Sequence, residues 1–432
     1  MRKLLLTLLL AVSALSLLRA QTLLVEAEKF DSYGGWSIDQ QFIGTMGSSY
    51  LLAHGMGIPV GDASTELTVP KKGNYYVYVK TFNWTAPFSE GAGPGRFSLS
   101  VDGSPLGAEL GAEGTGWFWQ KAGSVVLKKG SHTIRIHDLT GLEGRFDAVC
   151  MSLSPMSEES LNRLQENLRG SATVNDGGHY DLVVIGAGYS GICASVAAAR
   201  QGLRVALIQD RSILGGNNSS EIRVQLGGSI ECEPYPNLGN LLKEFAPTEK
   251  GNAMPPSYYG DDAKMRIVSA EKNISLYTLT RVVSVEKDGD RILSVTGRHV
   301  VSGELTRFSA PVFADCTGDG TVGYLAGADY RVGRESRSEY NESSAPQIAD
   351  NMVLGASLQW SSKKDNEPSS FPEFSYGINL SDESYQKMTK GSWTWETGMF
   401  SDQILEAEKI RDYGMLAIYA NWSYLKNHAP CK

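Results

Sequence analysis

Between residues 182 and 201 an apolar run passes straight into a glycine-rich turn and then into an alanine-rich stretch. No other feature constrains the fold as tightly. Leu182-Val183-Val184-Ile185 reads as a buried strand, and Ile192 to Gln201 as the helix that follows. Between them stands Gly186-Ala187-Gly188-Tyr189-Ser190-Gly191. Such a turn offers free backbone N–H groups at a helix N-terminus, where a pyrophosphate can lie. Gly186 permits the tight turn, Gly188 lets backbone approach the phosphates, and Gly191 lets helix and strand pack closely. Gly202 then closes the helix, and Leu203 to Ile208 reads as the next parallel strand. A group for the adenosine ribose is expected at its end, which is Gln209 followed by Asp210. An amide bonds a ribose hydroxyl with less charge assistance than a carboxylate, so Asp210 takes the role if the strand runs one residue further. The alternative is a turn that serves helix packing alone.

The first residues predict a targeting segment. Arg2 and Lys3 precede the apolar stretch Leu4 to Leu18, and Leu18-Arg19-Ala20 suits cleavage before Gln21. A signal peptide over 1–20 implies an exported, periplasmic or extracellular bacterial protein; a retained N-terminal anchor is the alternative. Without an adjacent arginine pair the Sec route is expected, so a cofactor would be met outside the cytoplasm. No other stretch is apolar enough to span a bilayer. The 432 residues can bury at least two cores, and a net charge of −8 without a basic tract argues against nucleic acid. Cys150, Cys193, Cys232, Cys316 and Cys431 show neither a metal spacing nor a disulfide framework.

Residues 22–153 hold short alternating runs broken by turn residues, among them Asn74 to Lys80, Arg96 to Val101 and His132 to His137. This spacing predicts an all-β antiparallel sandwich. Residues 154–178 read as a helical linker: Ser157 to Arg169 is a helix with Leu161, Leu164 and Leu168 on one face, and Ser171 to Gly178 is a polar connection. An α/β domain is expected over 179–334. Within it Thr280 to Val285 and Ile292 to Val295 form a β-meander, and Ala310 to Ala314 a further strand.

From Tyr180 onward the chain resembles the exported FAD-dependent oxidoreductases of carbohydrate-degrading bacteria, which share the glutathione-reductase-like FAD-binding fold. Three segments carry the resemblance: the turn 186–191, Leu214-Gly215-Gly216-Asn217-Asn218-Ser219-Ser220, and Phe313-Ala314-Asp315-Cys316-Thr317-Gly318-Asp319-Gly320. It implies a Rossmann-like domain that holds FAD with Gly186, Gly188, Tyr189, Ser190, Gly191, Gln209, Asp210, Gly215, Gly216, Asn217, Val282, Thr317, Gly318 and Asp319. Small residues at 215 and 216 let main chain pass the cofactor without a Cβ clash. The segments at 215–216 and 317–318 argue against a simple NAD-dependent enzyme. Residues 335–432 are expected to be a partial substrate or cap region. The family continues past this point, so the chain is expected to be a fragment or a truncated product.

Val25-Glu26-Ala27-Glu28 and Phe146-Asp147-Ala148-Val149 resemble the first and last strands of jelly-roll carbohydrate-binding modules. That likeness implies a structural calcium on Glu26, Glu28 and Asp147, which supply hard oxygen ligands; solvent-facing edge charge is the alternative. Trp36, Trp84, Trp117 and Trp119 are available to stack on sugars or to pack a core. Glu221 and Arg223 either line the cleft or pair with each other, and Trp393 and Trp395 either stack a sugar or pack. His179, His299 and His428 do not identify a catalytic base. The implied reaction is hydride transfer from a carbohydrate or polysaccharide-derived substrate to flavin. A noncatalytic glycan-binding protein with a degenerate flavin domain is the alternative.

Overall fold

The computed structural model describes residues 22–363, 365–387, 390–391 and 395–429, with backbone alone at 390–391. The predicted signal segment, Trp393 and Cys431 therefore lie outside the described residues. The described chain forms two compact units. The first gathers residues 22–171, 369–386 and 415–429, and the second residues 172–368 and 387–414. Among the described residues no helix is long and apolar enough to cross a membrane.

The first unit is built from ten strands: β1 (Thr22–Glu26), β2 (Ser37–Asp39), β3 (Tyr50–Ala53), β4 (Ala63–Val69), β5 (Gly73–Thr81), β6 (Phe97–Val101), β7 (Ser104–Pro105), β8 (Phe118–Leu127), β9 (Gly130–Asp138) and β10 (Gly144–Ser152). One antiparallel sheet runs β2-β3-β10-β5-β8 with β1 also on β10, and the other runs β4-β9-β6-β7. Alternation places Phe97, Leu99 and Val101 of β6 and Ile134 and Ile136 of β9 inward, against Val77, Val79, Phe146 and Val149 of the other sheet. β10 is buried along its whole length because its outer face is covered too. There helix α1 (Glu158–Gly170) lays Leu161 on Tyr78, Trp119, Ala148 and Cys150. Ser157 caps α1, its Oγ accepting from the Ser160 amide. The buried face differs from the leucine stripe expected from spacing. Gln165 is buried and Leu168 is exposed, because polar partners wait beneath the helix end.

The second unit contains β11 (Val174–His179), β12 (Leu182–Ile185), α2 (Tyr189–Arg200), β13 (Val205–Ile208), α3 (Asp261–Ala270), β14 (Ile274–Tyr277), β15 (Thr280–Asp288), β16 (Arg291–His299), β17 (Leu305–Ser309), β18 (Phe313–Asp315) and α4 (Thr321–Leu325). A parallel sheet runs β14-β13-β12-β18, and a second sheet runs β11-β17-β16-β15. One face of the parallel sheet packs Val184, Val205 and Leu207 against Ile192 and Val196 of α2 and Val268 of α3. The other packs Val183, Ile185, Ala206 and Ile208 against Val282, Val295 and Phe308 of the meander. Burial on both faces explains why β12 and β13 read as unbroken apolar runs. Two expectations are corrected. The polar connection 171–178 contains β11, which pairs parallel with β17 through main-chain bonds and so needs no apolar alternation. The strand expected at 310–314 begins only at Phe313, after Pro311, which has no N–H to give. A long helix, α5 (Ala407–Asn427), ends the described chain.

Candidate functional site

Strands β12, β13 and β18 end side by side, and the turns that leave them share one cleft of about 800 Å³. Three glycine-bearing segments line it: Gly186 to Ser190 after β12, Gly215 to Ser219 after β13, and Cys316 to Asp319 after β18. Gln209, Asp210, Arg211 and the start of β15, Thr280 to Val282, line it as well. Every residue expected at the cofactor is in this lining except Gly191.

Each glycine has a separate physical reason. Gly186 has φ +95°, and a Cβ there would stand 2.4 Å from the Cys316 carbonyl oxygen. The first turn must therefore be bare for β18 to leave beside it. Gly191 faces inward: its Cβ would stand 1.8 Å from the Gly186 carbonyl oxygen. It seats α2 on the turn and touches no cleft. At Gly188, the N-cap of α2, a Cβ would meet nothing within 4 Å, and the same holds at Gly318. These two leave open backbone. The α2 first-turn amides lack intrahelical acceptors, and the helix dipole is positive there. The arrangement suits an extended ligand with an anionic middle. The Gly215 amide donates to the Ala187 carbonyl at 2.8 Å and joins the first two segments.

Gln209 is placed otherwise than a ribose ligand would be. It is buried, its Oε1 accepts from the Ala187 amide at 2.8 Å, and its Nε2 donates to the Ile213 carbonyl at 3.2 Å. The side chain braces the phosphate-type turn against the loop after β13. Asp210 stays in the lining, 3.5 Å from Arg281. At the third segment Asp315 caps the start of α4. Its carboxylate accepts from the Thr317 hydroxyl and amide and from the Val322 and Gly323 amides. Burial works to raise the Asp315 pKa, but these hydrogen bonds outweigh it and hold the group below the ordinary range. Glu221 and Arg223 do not pair with each other. Glu221 lines the cleft 3.3 Å from Arg211, while Arg223 Nε donates to the Ser220 carbonyl.

Among the described residues none of the three histidines singled out in the sequence enters the cleft lining. His299 Nδ1 accepts from the Ser302 amide at 3.1 Å and closes a hairpin, His428 meets Glu373 at 3.0 Å, and His179 is an exposed residue of β11. Trp395 is half-buried and stacked on Trp360, ring centroids 5.7 Å apart. The sequence reading missed Lys264, fully buried behind the loop 215–219. The available signal was a lysine on the same helical face as Ile267 and Val268.

The calcium expectation for the first unit is corrected. Glu26 and Asp147 are buried, but cations of the chain itself neutralise them. Arg169 Nε lies 2.8 Å from Glu26, its second nitrogen 3.1 Å from Asp147, and Lys80 3.3 Å from Asp147. Gln165 Nε2 donates to both carboxylates. Glu28 keeps one buried oxygen without a partner, and burial, then the charge of Glu26, pushes its pKa well up. Among the described residues no group of three or more His, Cys, Asp or Glu could hold a metal ion. Of the four tryptophans offered for sugar stacking, Trp36, Trp84 and Trp119 are core residues. Trp84 packs on Phe374 and Tyr419, and its Nε1 donates to the Leu142 carbonyl. Trp117 is half-buried between Phe82 and Tyr50.

Comparison with known proteins finds that the family described as FAD dependent oxidoreductase matches residues 181–426, more than half of the chain. Among solved structures the chain is similar to L-proline dehydrogenase from P. horikoshii, at 18% identity and a TM-score of 0.25, over 54% of this chain and 32% of that one. It is similar to the GH26-CBM35 β-(1,4)-mannanase of Podospora anserina, at 14% identity and a TM-score of 0.26, over 44% of this chain and 50% of that one. A family 35 carbohydrate binding module from Clostridium thermocellum matches at 18% identity and a TM-score of 0.25, over 30% of this chain and 96% of that one. The chain thus spans half or less of the length of the two enzymes.

Proposed function

As this chain belongs to the FAD dependent oxidoreductase family, we propose that its second unit binds FAD along the cleft and oxidises a carbohydrate or polysaccharide-derived substrate by hydride transfer. The observation that carries this reading is the convergence of three glycine-bearing turns, from three neighbouring parallel strands, on one cleft. The residues fit the cofactor: bare backbone at Gly188 and Gly318 leaves room where a Cβ would intrude, and the α2 first-turn amides suit a diphosphate. Tyr189 and Ser190 then supply amide donors, Gly215 to Asn217 flank the ligand, and Thr317 to Asp319 close its far side. With Gln209 engaged as a brace, Asp210 is the group available to the ribose. The main chain at Val282, in the cleft lining, would take the adenine. When bound, FAD supplies the hydride acceptor. The protein orients the substrate and keeps water out.

The substrate class comes from the sequence resemblance to flavoproteins of carbohydrate-degrading bacteria. The stacked Trp360–Trp395 pair in the second unit offers an aromatic face of the kind that packs on sugar C–H surfaces. Export follows from the charged-then-apolar start of the chain. The test is titration of flavin-stripped full-length chain with FAD. Binding that shifts the visible flavin bands, and is abolished by Gly188→Val without loss of fold, supports the reading. A valine is sterically free at φ −66° but projects into the cleft. Colourless protein that refuses FAD yet is retained by a polysaccharide resin would overturn it in favour of a glycan-binding role.

A further inference from the structure

Lys264 is a fully buried lysine of the second unit. It stands on α3, and its side chain has no exposure to solvent. A buried ammonium is strongly unfavourable unless each N–H finds an acceptor. Here the Nζ donates to the main-chain carbonyls of Asn218 and Tyr259 and lies 3.6 Å from the Asp261 carboxylate. Its charge sits 5.5 Å from the centre of the Tyr189 ring. Its methylene stem runs under Gly215, where an added Cβ would come within 2.9 Å of it.

These contacts converge on one object. The loop 215–220 contains Gly215, Gly216 and Asn217, which give it little apolar surface to hold it in place. It is fixed from behind by polar bonds instead. Lys264 takes the Asn218 carbonyl, Asp261 accepts from the Ser220 amide at 3.2 Å, and the Tyr189 hydroxyl donates to the Asn218 side chain at 2.8 Å. Tyr189 is itself the first residue of α2, so the same cluster joins the loop after β13 to the turn after β12. Of the common side chains only a lysine brings three donors on one atom at the end of a thin stem. Burial works to lower its pKa, and Asp261 opposes that shift.

We propose that Lys264 is the positioning residue of the cofactor cleft: it holds the glycine loop 215–220 in its ligand-ready shape before any ligand arrives. Loop-ordering entropy is then met at folding and not at binding. This rests on the flavin reading above for the identity of the ligand. Lys264 does not line the cleft, so it acts on the ligand only through the loop.

The test uses the full chain with Lys264→Met, which keeps stem volume and removes the donors. In FAD-free protein, amide hydrogen exchange over residues 214–220 is expected to quicken roughly tenfold or more, with β12 and β13 unchanged. The FAD dissociation constant should rise roughly tenfold, and the visible circular dichroism of saturated flavin should change, as a purely scaffolding residue would not cause. Unchanged loop exchange together with an affinity within about twofold of the parent overturns the proposal. If Lys264→Met does not fold, Asp261→Asn weakens the same cluster from its solvent side. It should then raise loop exchange by a smaller, still measurable factor, and no change would again overturn the proposal. Failure of the unmodified chain to bind FAD overturns the flavin reading separately, because the exchange measurement needs no flavin.

Discussion

Gly186→Ala isolates the close approach on which the cleft depends. Two costs follow from the geometry. A side chain at φ +95° meets the left-handed penalty, about 1–2 kcal/mol. The new Cβ would also lie 2.4 Å from the Cys316 carbonyl oxygen and 2.8 Å from the Thr317 nitrogen, both main-chain atoms. Neither can rotate aside, so β18 and the turn 316–319 must shift, an overpacking cost of about 1–3 kcal/mol. The sum is about 2–5 kcal/mol of lost stability. Since the displaced turn is one wall of the cleft, FAD affinity should fall roughly tenfold or more, about 1.4 kcal/mol. Gly202→Ala is the matched control. Its φ is +90°, yet a Cβ there meets nothing within 4 Å, so it carries the dihedral penalty alone. Denaturant melts of both variants, read beside FAD titrations, separate strain from collision. Equal destabilisation of the two, or parental FAD affinity in Gly186→Ala, would refute the reasoning.

Three further outcomes follow. Arg169→Met leaves Glu26 and Asp147 buried without their main counter-charge and should cost about 3–5 kcal/mol in a thermal melt of the full chain; a loss below about 1 kcal/mol would show the pair to be solvated. Glu28 has a folded-state pKa raised by burial and by Glu26, so ionising it opposes folding. Parental stability therefore falls as pH rises from about 4.5 through the raised value. Glu28→Gln should be the more stable protein above that window and equal to the parent below it, and an advantage that grew toward acid pH would contradict the assignment. Thiol labelling followed by peptide mass spectrometry should find exposed Cys232 reacting first among the described cysteines. Cys150, its pKa pushed up to about 12 by burial, should stay inert. Cys316 lines the cleft, so saturating FAD should protect it, and equal labelling with and without FAD would place the ligand elsewhere.

What the sequence disclosed was local. The strand, turn and helix at 182–200 are dictated by neighbouring residues, and glycine spacing carries steric facts that survive any tertiary context. The same holds for Thr317 and Gly318, which follow their strand directly. Arrangements that depend on distant partners were hidden. β11 is polar and gains its place by pairing with β17, so no periodicity marked it. Gln209 looked like a ligand because position alone was visible, while the donor it accepts from lies at 187 and the acceptor it donates to at 213. Glu26 and Asp147 read as metal ligands because Arg169 and Lys80, their counter-charges, are not adjacent to them in sequence. Lys264 was overlooked for the same reason: a lysine's ordinary place is solvent, and only the fold shows it enclosed.

Trp84 and Tyr419 touch, yet more than three hundred residues separate them along the chain. Joining such remote positions is slow, since loop closure must precede any reward from contact. On the ribosome the two β-sheets can pair early, but the contact between Trp84 and Tyr419 cannot form until synthesis has passed residue 419. An excised piece ending at Ser171 would lack both the Phe374 and the Tyr419 ring that pack on this indole. A cut after Ser171 therefore does not carry the whole of the first unit. That unit is completed by residues 369–386 and 415–429, so a nascent chain stalled before residue 369 would lack the Phe374 and Tyr419 rings that pack on Trp84.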